Sequence, residues 1–402
     1  MCCGGCERAA AWCRWCRRPP RPCCSRPSGA AGERACERTS VTAPARSADR
    51  AQRGSAVSRV TGIAYAVPDQ RVGQAEMWDG FYAQHCGGGP LHERLFRGAG
   101  VQQRHLAANP LVEDVSQWST GRRMRRYVTE ALPLGKEAVA AALADAGLAA
   151  DDVGMFAVAS CTGYATPGID IRTAAALGMA ADVQRLVVGH MGCYAAVPAL
   201  GAVGDYATAR GRPAVLLCLE LTSLHAQPPT DDTGQVVAHA LFGDAAAAVV
   251  VEPGRGDGLD LVDVAAVTDP GTADHMTWDI TDVGFRMELS AGVPAVLARH
   301  VAPAVTRLLS RHGLQTSDVD AWAVHPGGPR ILDTVAEHLD LPSDALDASR
   351  QVLAERGNCS SATVLLVLDA LRSAGRPGAG GYAVVLAFGP GLTLYAALLR
   401  AR

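Results

Sequence analysis

Residues 186–196 read LVVGHMGCYAA, and the interpretation of the whole chain starts from this stretch. The apolar run at Leu186 predicts a buried strand that ends at Gly189, and the small residues after Tyr194 predict a helix that extends to residue 209. Cys193 therefore lies on a sharp turn at a helix N-terminus, where unpaired N–H groups and the helix dipole stabilise a thiolate. This is how attacking cysteines are held, although an isolated cysteine is more often a small buried hydrophobe.

The composition predicts a large folded body of one or two domains. The chain has 402 residues, 49% of them hydrophobic, and a formal net charge of −3. The near-neutral charge gives no reason to expect nucleic acid as a partner, and no run of 18 uncharged apolar residues predicts a membrane span. Lys136 is the only lysine among many arginines, which indicates a bias in nucleotide composition.

Cysteine usage divides the chain in two. Eight of the 13 cysteines lie in the first 36 residues, and the other five are scattered through apolar or glycine-bearing segments, as expected of a reduced, cytoplasmic protein. Residues 1–56 lack apolar periodicity and predict a disordered extension. Zinc binding at Cys13 and Cys16 is the weaker alternative, because no second pair with matching spacing follows. A secretory signal is disfavoured because no apolar h-region is present.

An internal repeat predicts the architecture. Residues 147–158 (GLAADDVGMFAV) and 313–324 (GLQTSDVDAWAV) are identical at six of twelve positions, and the same offset of 166 residues carries Cys193 to Cys359. Because repeats of this kind mark duplicated structural units, we expect two pseudo-twofold related α/β halves, residues 57–255 and 256–402. Each half is predicted to contain a mixed sheet, with the apolar helices that begin near Cys193 and Cys359 buried at the centre.

The duplication also predicts which side chains meet. The helix starts at Cys193 and Asn358 should face one crevice, and a strand that ends at Val324 delivers His325 into it. A thiolate at Cys193 can attack an acyl thioester, and the His325 imidazole can form an ion pair with that thiolate. The imidazole and the Asn358 amide can then donate to a developing oxyanion, at about 3–4 kcal/mol for each donor.

Several motifs together carry a family resemblance. They are Gly192-Cys193, LFGD (241–244), HPGGP (325–329), GNCSSA (357–362) and FGPGLT (388–393). On these motifs residues 57–402 resemble a bacterial type III polyketide synthase of the chalcone synthase superfamily. The resemblance implies a thiolase-type αβαβα layered fold, an obligate homodimer, CoA thioester substrates, and neither a metal nor an organic cofactor.

The resemblance also implies the roles of the three candidate catalytic residues. Cys193 receives an acyl group from an acyl-CoA starter. His325 and Asn358 hold the thioester oxygen of malonyl-CoA while it loses CO₂, and the resulting carbanion attacks the acyl group on Cys193. Repeated extension is followed by cyclisation to an aromatic or pyrone product.

Further positions carry over from the family as substrate-binding candidates. Ala226 and Met287 match two phenylalanines at the cavity mouth of plant members, which implies a reshaped entrance. Trp278 replaces a glycine of the starter pocket, with a plain core or surface position as the alternative. Cys161 matches a cysteine of bacterial naphthalene-type synthases, with a small buried hydrophobe as the alternative, and Thr166 matches a residue that reaches into the partner subunit's cavity.

Arginines are the candidates for binding the CoA phosphates. Arg94 aligns with a basic residue that has this role in plant members, and Arg97 and Arg330 are possible substitutes, since arginine binds phosphate bidentately. Arg104 and His105 extend the basic stretch that begins at Arg94, and a solvated helix face is the alternative for this stretch.

Three other functions are compatible with parts of the sequence. A ketoacyl synthase of fatty-acid initiation shares the Cys-His-Asn set but takes malonyl groups from a carrier protein; the 388–391 loop and the residues around His325 disfavour it. A thiolase is disfavoured because no cysteine follows Cys359. A non-catalytic dimeric scaffold of the same fold is disfavoured because Cys193, His325 and Asn358 are all intact. The sequence leaves open the starter, the number of extensions, the cyclisation mode and the choice between malonyl and methylmalonyl extenders.

Overall fold

A computed structural model describes residues 57–254 and 256–402 of the chain. The extension predicted over residues 1–56, with its Cys13 and Cys16 pair, lies outside the described residues. Strands form where apolar and β-branched residues run together. The strands of the described residues are β1 (Ser58–Ala66), β2 (Arg71–Gly73), β3 (Gln103–His105), β4 (Met155–Ser160), β5 (Gln184–Gly189), β6 (Ala214–Leu221), β7 (Asp244–Pro253), β8 (Leu259–Thr268), β9 (Met276–Thr281), β10 (Gly284–Leu289), β11 (Val319–Val324), β12 (Tyr382–Gly389) and β13 (Thr393–Ala401).

Alanine- and leucine-rich segments between the strands form helices, as their propensities favour. These are α1 (Gln74–Met77), α2 (Ala83–His85), α3 (Pro90–Arg97), α4 (Thr120–Ala146), α5 (Ile169–Leu177), α6 (Ala196–Arg210), α7 (Thr233–Leu241), α8 (Val293–Ser310), α9 (Pro329–Leu339), α10 (Asp347–Arg356) and α11 (Thr363–Ser373). A π-helical turn, Trp78–Tyr82, joins α1 to α2, and 3₁₀ turns at Gly192–Tyr194 and Ser360–Ala362 precede α6 and α11.

Nine strands form one sheet that is narrowly joined at its middle. The order is β11-β12-β13-β8-β1-β7-β6-β4-β5, so the first repeat supplies β1 and β4–β7 and the second supplies β8 and β11–β13. Only two residue pairs, Arg59 with Asp260 and Val60 with Leu259, connect β1 to β8. Each side contains both parallel and antiparallel neighbours, as predicted for a mixed sheet.

The helices complete five layers. One apolar cluster contains α6, α11 and the inward-facing residues of both sides of the sheet, and nearly every member is fully buried. A second cluster packs α4 and α5 on the outer face of the first half, and a third packs α8 and α9 on the outer face of the second half. Because both faces of the sheet are covered, strands such as β6 are buried along their whole length. The predicted αβαβα layering is confirmed.

Two elements differ from the sequence prediction. Residues 132–146 (LPLGKEAVAAALADA) predict a helix, but the helix begins at Thr120, because the arginine-rich segment before them is helical and buries Arg123 completely. The offset of 166 residues places the counterpart of β5 inside α10, so the second half has a helix where the first half has an edge strand. Within the described part of the chain, no helix is long and apolar enough to cross a membrane.

Candidate active site

The nucleophile turn is shaped by glycine. Cys193 lies in the 3₁₀ turn between β5 and α6 and is 5% exposed. The preceding Gly192 has a φ of 72°, and a Cβ at this position would lie 2.8 Å from the Cδ atom of Pro390. Only glycine fits both the backbone conformation and the close approach. The 388–391 loop therefore packs directly on the turn that holds Cys193, which explains why the two motifs occur together.

Asn358 is held by the end of α7. Its N–H donates to the carbonyl of Leu241 (2.8 Å), and its own carbonyl accepts from the N–H of Gly243 (3.0 Å). The side-chain oxygen of Asn358 accepts a hydrogen bond from the N–H of Ser360 (2.9 Å). This bond fixes which end of the amide carries the oxygen, so the NH₂ group of Asn358 remains available to donate.

His325 follows the last residue of β11. Its N–H donates to the carbonyl of Leu386 (2.8 Å), and its ring meets the ring of Phe388 edge to face at 5.6 Å. The side chain is 1% exposed, and neither ring nitrogen has a hydrogen-bond partner among the residues described. A buried imidazole with both nitrogens free is available to a substrate, because leaving such groups unpaired is otherwise costly.

These three side chains line one cavity of about 410 Å³, here called the central cavity. The structure therefore brings together the residues that the repeat analysis placed on one crevice. The remaining walls are largely apolar and come from the ends of α3 and α7, from β10, and from the starts of α8 and α9. Phe242, Met287 and Arg330 also line this cavity.

No hydrogen bond joins Cys193 to His325 in this structure, where the nitrogens of the His325 ring have no partner in the described chain. Burial raises the pKa of the Cys193 thiol to about 12 and lowers the pKa of the His325 imidazole to about 3. Moving the proton from sulfur to nitrogen creates two opposite charges together, and their attraction in a cavity of low dielectric opposes the effect of burial. The ion pair thus depends on direct contact between the two groups.

A smaller cavity of about 10 Å³ adjoins Cys193 and contains Cys161. The Cys161 thiol lies 3.3 Å from the hydroxyl of Ser360, and its N–H donates to the carboxylate of Glu220 (3.0 Å). Burial raises the pKa of the Cys161 thiol well above its ordinary value. Glu220 also accepts from the hydroxyl of Thr162 (2.7 Å), so a buried carboxylate anchors the Cys161 loop beside the nucleophile.

Trp278 on β9 and Met287 on β10 are cross-strand partners, and their side chains lie between two small cavities. The indole N–H of Trp278 donates to the carbonyl of Cys161 (2.7 Å), so this side chain is not a surface residue. Both residues border the small cavity and also a third, inner cavity of about 50 Å³. Ala226 lines only that inner cavity, whereas Phe242 lines all three. The structure thus places Phe242, and not Ala226, beside Met287 in the central cavity.

The remaining predicted residues lie apart from the chemistry. Thr166 is exposed, and its hydroxyl donates to the hydroxyl of Tyr164 (3.4 Å). Arg97 forms exposed ion pairs with Asp79 (2.6 Å) and Glu93 (2.8 Å) and does not line the central cavity.

Of the three candidate arginines, only Arg330 lines the central cavity, at the first turn of α9, and Arg94 is exposed near the end of α3. Over residues 57–254 and 256–402, no group of three or more His, Cys, Asp or Glu side chains is arranged to hold a metal ion.

Sequence reasoning missed Glu220, Ser360 and the wall position of Phe242. Glu220 had a signal, because it is the single charged residue in the wholly buried strand β6. The sequence contains no such signal for Ser360, because its left-handed backbone conformation (φ 47°) exists only in the folded turn. Phe242 was visible within the LFGD motif, but its side chain could not be assigned to a cavity without the structure.

The fold and the cavity together define a thioester-using acyltransferase of the thiolase type. Comparisons with known proteins agree. The family model described as "Chalcone and stilbene synthases, N-terminal domain" matches residues 45–255, and the corresponding C-terminal model matches residues 261–402. The chain therefore belongs to the chalcone and stilbene synthase family of type III polyketide synthases, as the motifs predicted.

Several similar proteins are bacterial members of the family. The 1,3,6,8-tetrahydroxynaphthalene synthase of Streptomyces peucetius subsp. caesius is 38% identical over 366 residues, which cover 87% of this chain and 95% of that protein. The "Alpha-pyrone synthesis polyketide synthase-like Pks18" of Mycobacterium tuberculosis is 32% identical, with 84% and 90% covered. The crystal structure of the tetrahydroxynaphthalene synthase of Streptomyces coelicolor A3(2) superposes with a TM-score of 0.81 at 30% identity and covers 86% of this chain and 99% of that one.

Proposed function

We propose that the protein builds a polyketide by repeated decarboxylative condensation of malonyl-CoA on an acyl group held by Cys193. The observation that carries this proposal is the meeting of Cys193, His325 and Asn358 in one largely apolar cavity. A cavity with a buried thiol, a free imidazole and an available amide NH₂ suits the chemistry of thioesters, because it excludes water and supplies donors for an oxyanion.

The first half-reaction loads the enzyme. The Cys193 proton moves to His325, the sulfur attacks the carbonyl carbon of an acyl-CoA, and the CoA thiolate leaves and takes a proton. The acyl group is then joined to Cys193 as a thioester, which divides one difficult transfer into two easier steps.

The second half-reaction extends the chain. Malonyl-CoA enters, and its thioester oxygen accepts hydrogen bonds from His325 and from the Asn358 amide. Loss of CO₂ leaves an enolate whose negative charge rests on that oxygen, where the two donors stabilise it. The enolate carbon attacks the acyl carbonyl on Cys193 and releases the cysteine sulfur. Return of the longer chain to Cys193 starts another round, and an intramolecular closure gives an aromatic or pyrone product.

The outer part of the central cavity suits a CoA thioester. Arg330 lines it, and the first turns of α8 and α9 contribute Val293 and Pro329 to the same wall. Helix N-termini and an arginine favour phosphate oxygens. We assign the CoA phosphates to Arg330, with exposed Arg94 as a second contact. No metal or organic cofactor enters the mechanism, since every step uses side chains and the CoA thioesters.

The inner wall limits the starter. Trp278 and Met287 leave only the cavity of about 10 Å³ beside Cys193 and Cys161. An acyl group on Cys193 therefore has room on that side for only a few atoms. We propose a small acyl starter, with Cys161 lining the space that the starter group occupies, while the growing chain extends into the central cavity.

A homodimer through β5 is part of the proposal. This strand is an edge of the sheet, and its Val187 is 61% exposed. An unpaired edge strand with an apolar residue is a ready template for pairing with a second copy. Thr166, on the loop before α5, is exposed and free to reach a partner subunit, and we assign it to the partner's cavity wall.

A product assay tests the proposal. The purified protein is incubated with malonyl-CoA alone and with a panel of acyl-CoA starters, beside a Cys193→Ala variant, and products are identified by mass spectrometry. Pyrones or aromatic polyketides that disappear in the variant support the proposal. A reaction that requires a malonyl group on a carrier protein would instead support a ketoacyl synthase of the initiation type.

A further inference from the structure

Arg104 of β3 is one of the two largest side chains that are completely buried in the described residues, and the other is also an arginine. The sequence grouped Arg104 with the exposed basic residues of α3 as a candidate for phosphate binding. The structure contradicts that grouping, because no part of Arg104 is exposed. A buried guanidinium needs partners for its donors, and those partners show what it does.

Its partners are the backbone carbonyls at the end of α7. One terminal nitrogen, Nη1, donates to the carbonyls of His239 (2.8 Å) and Phe242 (2.7 Å), and the other, Nη2, donates to that of Ala240 (2.5 Å). Gln74 supports this arrangement, since its amide donates to the same Ala240 carbonyl (3.0 Å). The last carbonyls of a helix lack partners within the helix, and a cation at this end is favoured by the helix dipole.

One carbonyl at this helix end is not taken by Arg104. The carbonyl of Leu241 accepts from the N–H of Asn358, and the carbonyl of Asn358 accepts from Gly243. The same few residues therefore hold the backbone of Asn358 and place the side chain of Phe242 in the central cavity. Any shift of the end of α7 moves both.

We propose that Arg104 is a positioning residue for malonyl-CoA decarboxylation, acting through the end of α7 on Asn358 and Phe242. The inference rests on the proposed function and adds to it a residue that touches neither the substrate nor the reacting atoms. The planar fork of the guanidinium satisfies three diverging carbonyls at once, which a single ammonium group cannot do. The role therefore depends on the geometry of arginine and not on its charge alone.

The test separates two partial reactions in Arg104→Lys and Arg104→Gln variants. Release of CO₂ from malonyl-CoA depends on Asn358, whereas alkylation of Cys193 by iodoacetamide depends on the thiol and His325. We expect CO₂ release to fall roughly 10- to 100-fold in both variants, since small displacements of an oriented group have effects of this size. Alkylation should stay within about twofold of the wild-type rate, on the same reasoning. Equal losses in both reactions, or full rescue by lysine, would overturn the inference.

Arg123 provides the matched control. It is equally buried and donates to the carbonyls of Ser116, Trp118, Leu224 and Ala226, but not to the end of α7. An Arg123→Gln variant should lose thermal stability to a similar degree while the ratio of CO₂ release to alkylation stays at the wild-type value. A ratio that falls as far as in Arg104→Gln would show that general destabilisation, and not the end of α7, is responsible.

Hydrogen exchange gives a readout that does not depend on activity. We expect the amides of Asn358 and Gly243 to exchange faster in Arg104→Gln than in Arg123→Gln, because the helix end that holds them is loosened. Unchanged exchange at these two amides would overturn the inference. If the wild-type protein released no CO₂ from malonyl-CoA, the proposed function would fail, and the exchange data would still decide the role of Arg104.

Discussion

At the scale of single residues, the central cavity combines a buried thiol with a buried imidazole. Burial opposes charge on either group alone, whereas contact between them favours the ion pair. The reactivity of Cys193 therefore depends on His325. When the imidazole is removed, no partner stabilises the thiolate, and burial holds the pKa of the Cys193 thiol near 12. At neutral pH such a thiol is almost entirely protonated.

His325→Ala is predicted to slow alkylation of Cys193 by iodoacetamide by about 100-fold or more at pH 7, because each pKa unit changes the thiolate fraction tenfold. In the variant the rate should rise about tenfold for each pH unit between pH 7 and 10. In the wild type it should change little over that range. The rates are measured in a Cys161→Ser background, so that iodoacetamide cannot label Cys161 in place of Cys193. A wild-type rate that climbs as steeply as that of the variant would show that the free enzyme holds no ion pair.

Trp278→Ala is predicted to widen the range of acyl-CoA starters. The indole fills the space between the small cavity at Cys161 and the inner cavity of about 50 Å³, so its removal joins the two. Longer starters should be extended by the variant and refused by the wild type, as judged by mass spectrometry of products. Trp278→Phe keeps most of the volume but loses the hydrogen bond to Cys161, and it should retain the wild-type range. If both variants behave alike, the hydrogen bond and not the volume sets the limit.

Single-residue placement was partly predictable. Cys193, His325 and Asn358 stand at element ends that a repeat aligns, so their convergence followed from the sequence. The assignment of Ala226 to the same cavity did not hold in the structure, because alignment alone cannot distinguish it from Phe242. Arg97 pairs with Glu93, four residues before it on α3, and with Asp79 on the π-helical turn; the sequence spacing indicates the first pair, whereas only folding brings Asp79 close.

At the scale of elements, the narrow junction between β1 and β8 depends on Asp260. Its carboxylate accepts from Arg59 (2.7 Å) on β1 and from Arg402 at the end of the chain. Burial raises the pKa of Asp260, but the hydrogen bonds from Arg402 and Arg59 outweigh it, so the net shift is downward. A lowered pKa in the folded state means that the carboxylate stabilises the protein above its unfolded pKa of about 3.9.

Asp260→Asn is predicted to reduce the free energy of unfolding by about 2 kcal/mol at pH 7, the usual scale for hydrogen bonds to a buried charge. The difference from wild type should stay constant from pH 8 to about 5 and shrink below about pH 4, where the wild-type carboxylate becomes protonated. Urea unfolding of both proteins at a series of pH values measures this difference in the free energy of unfolding. Asp333→Asn, which removes an exposed partner of Arg350, should change stability by less than about 0.5 kcal/mol. A difference that does not vary with pH would contradict the linkage.

Element boundaries followed from the sequence where apolar periodicity was strong. The apolar sequence of residues 363–373 (TVLLVLDALRS) predicts a helix, and α11 has these bounds. The first turns of α4 were missed because arginines there look like a solvated run, although Arg123 is buried by donating to four carbonyls. The helix α10 was unexpected at the repeat position of β5, since six identities over twelve residues upstream do not dictate the next element.

At the scale of the whole molecule, Val187→Asp is predicted to convert a dimer into a monomer. In a dimer joined through the edge strand β5, a carboxylate at residue 187 would be buried without a partner. It would lose its hydration, which a carboxylate on the solvent-exposed surface keeps. Light scattering coupled to size exclusion measures the mass. Ile280→Asp is the control, because Ile280 is similarly exposed (68%) on the separate hairpin of β9 and β10. A wild-type monomer, or a dimer that persists in Val187→Asp, would contradict an interface at β5.

The layered architecture was predictable because duplication fixes it. Two copies of one unit, each with a helix that is apolar all round, can bury those helices only by enclosing them between the two sides of the sheet. The sizes of the cavities were not predictable, since they depend on how Trp278, Met287 and Phe242 pack across β9, β10 and the end of α7. Such packing is a property of the folded molecule and not of any single segment.

Capture of the acyl-enzyme tests the proposed mechanism most directly. The protein is mixed with a small acyl-CoA, and intact mass and peptide mapping locate any adduct, first without and then with malonyl-CoA. We predict one acyl group on Cys193, which is lengthened when malonyl-CoA is added to the wild type but stays at its original length in Asn358→Ala. An adduct on another cysteine, or an adduct on Cys193 that Asn358→Ala extends at the wild-type rate, would contradict the roles assigned to these residues.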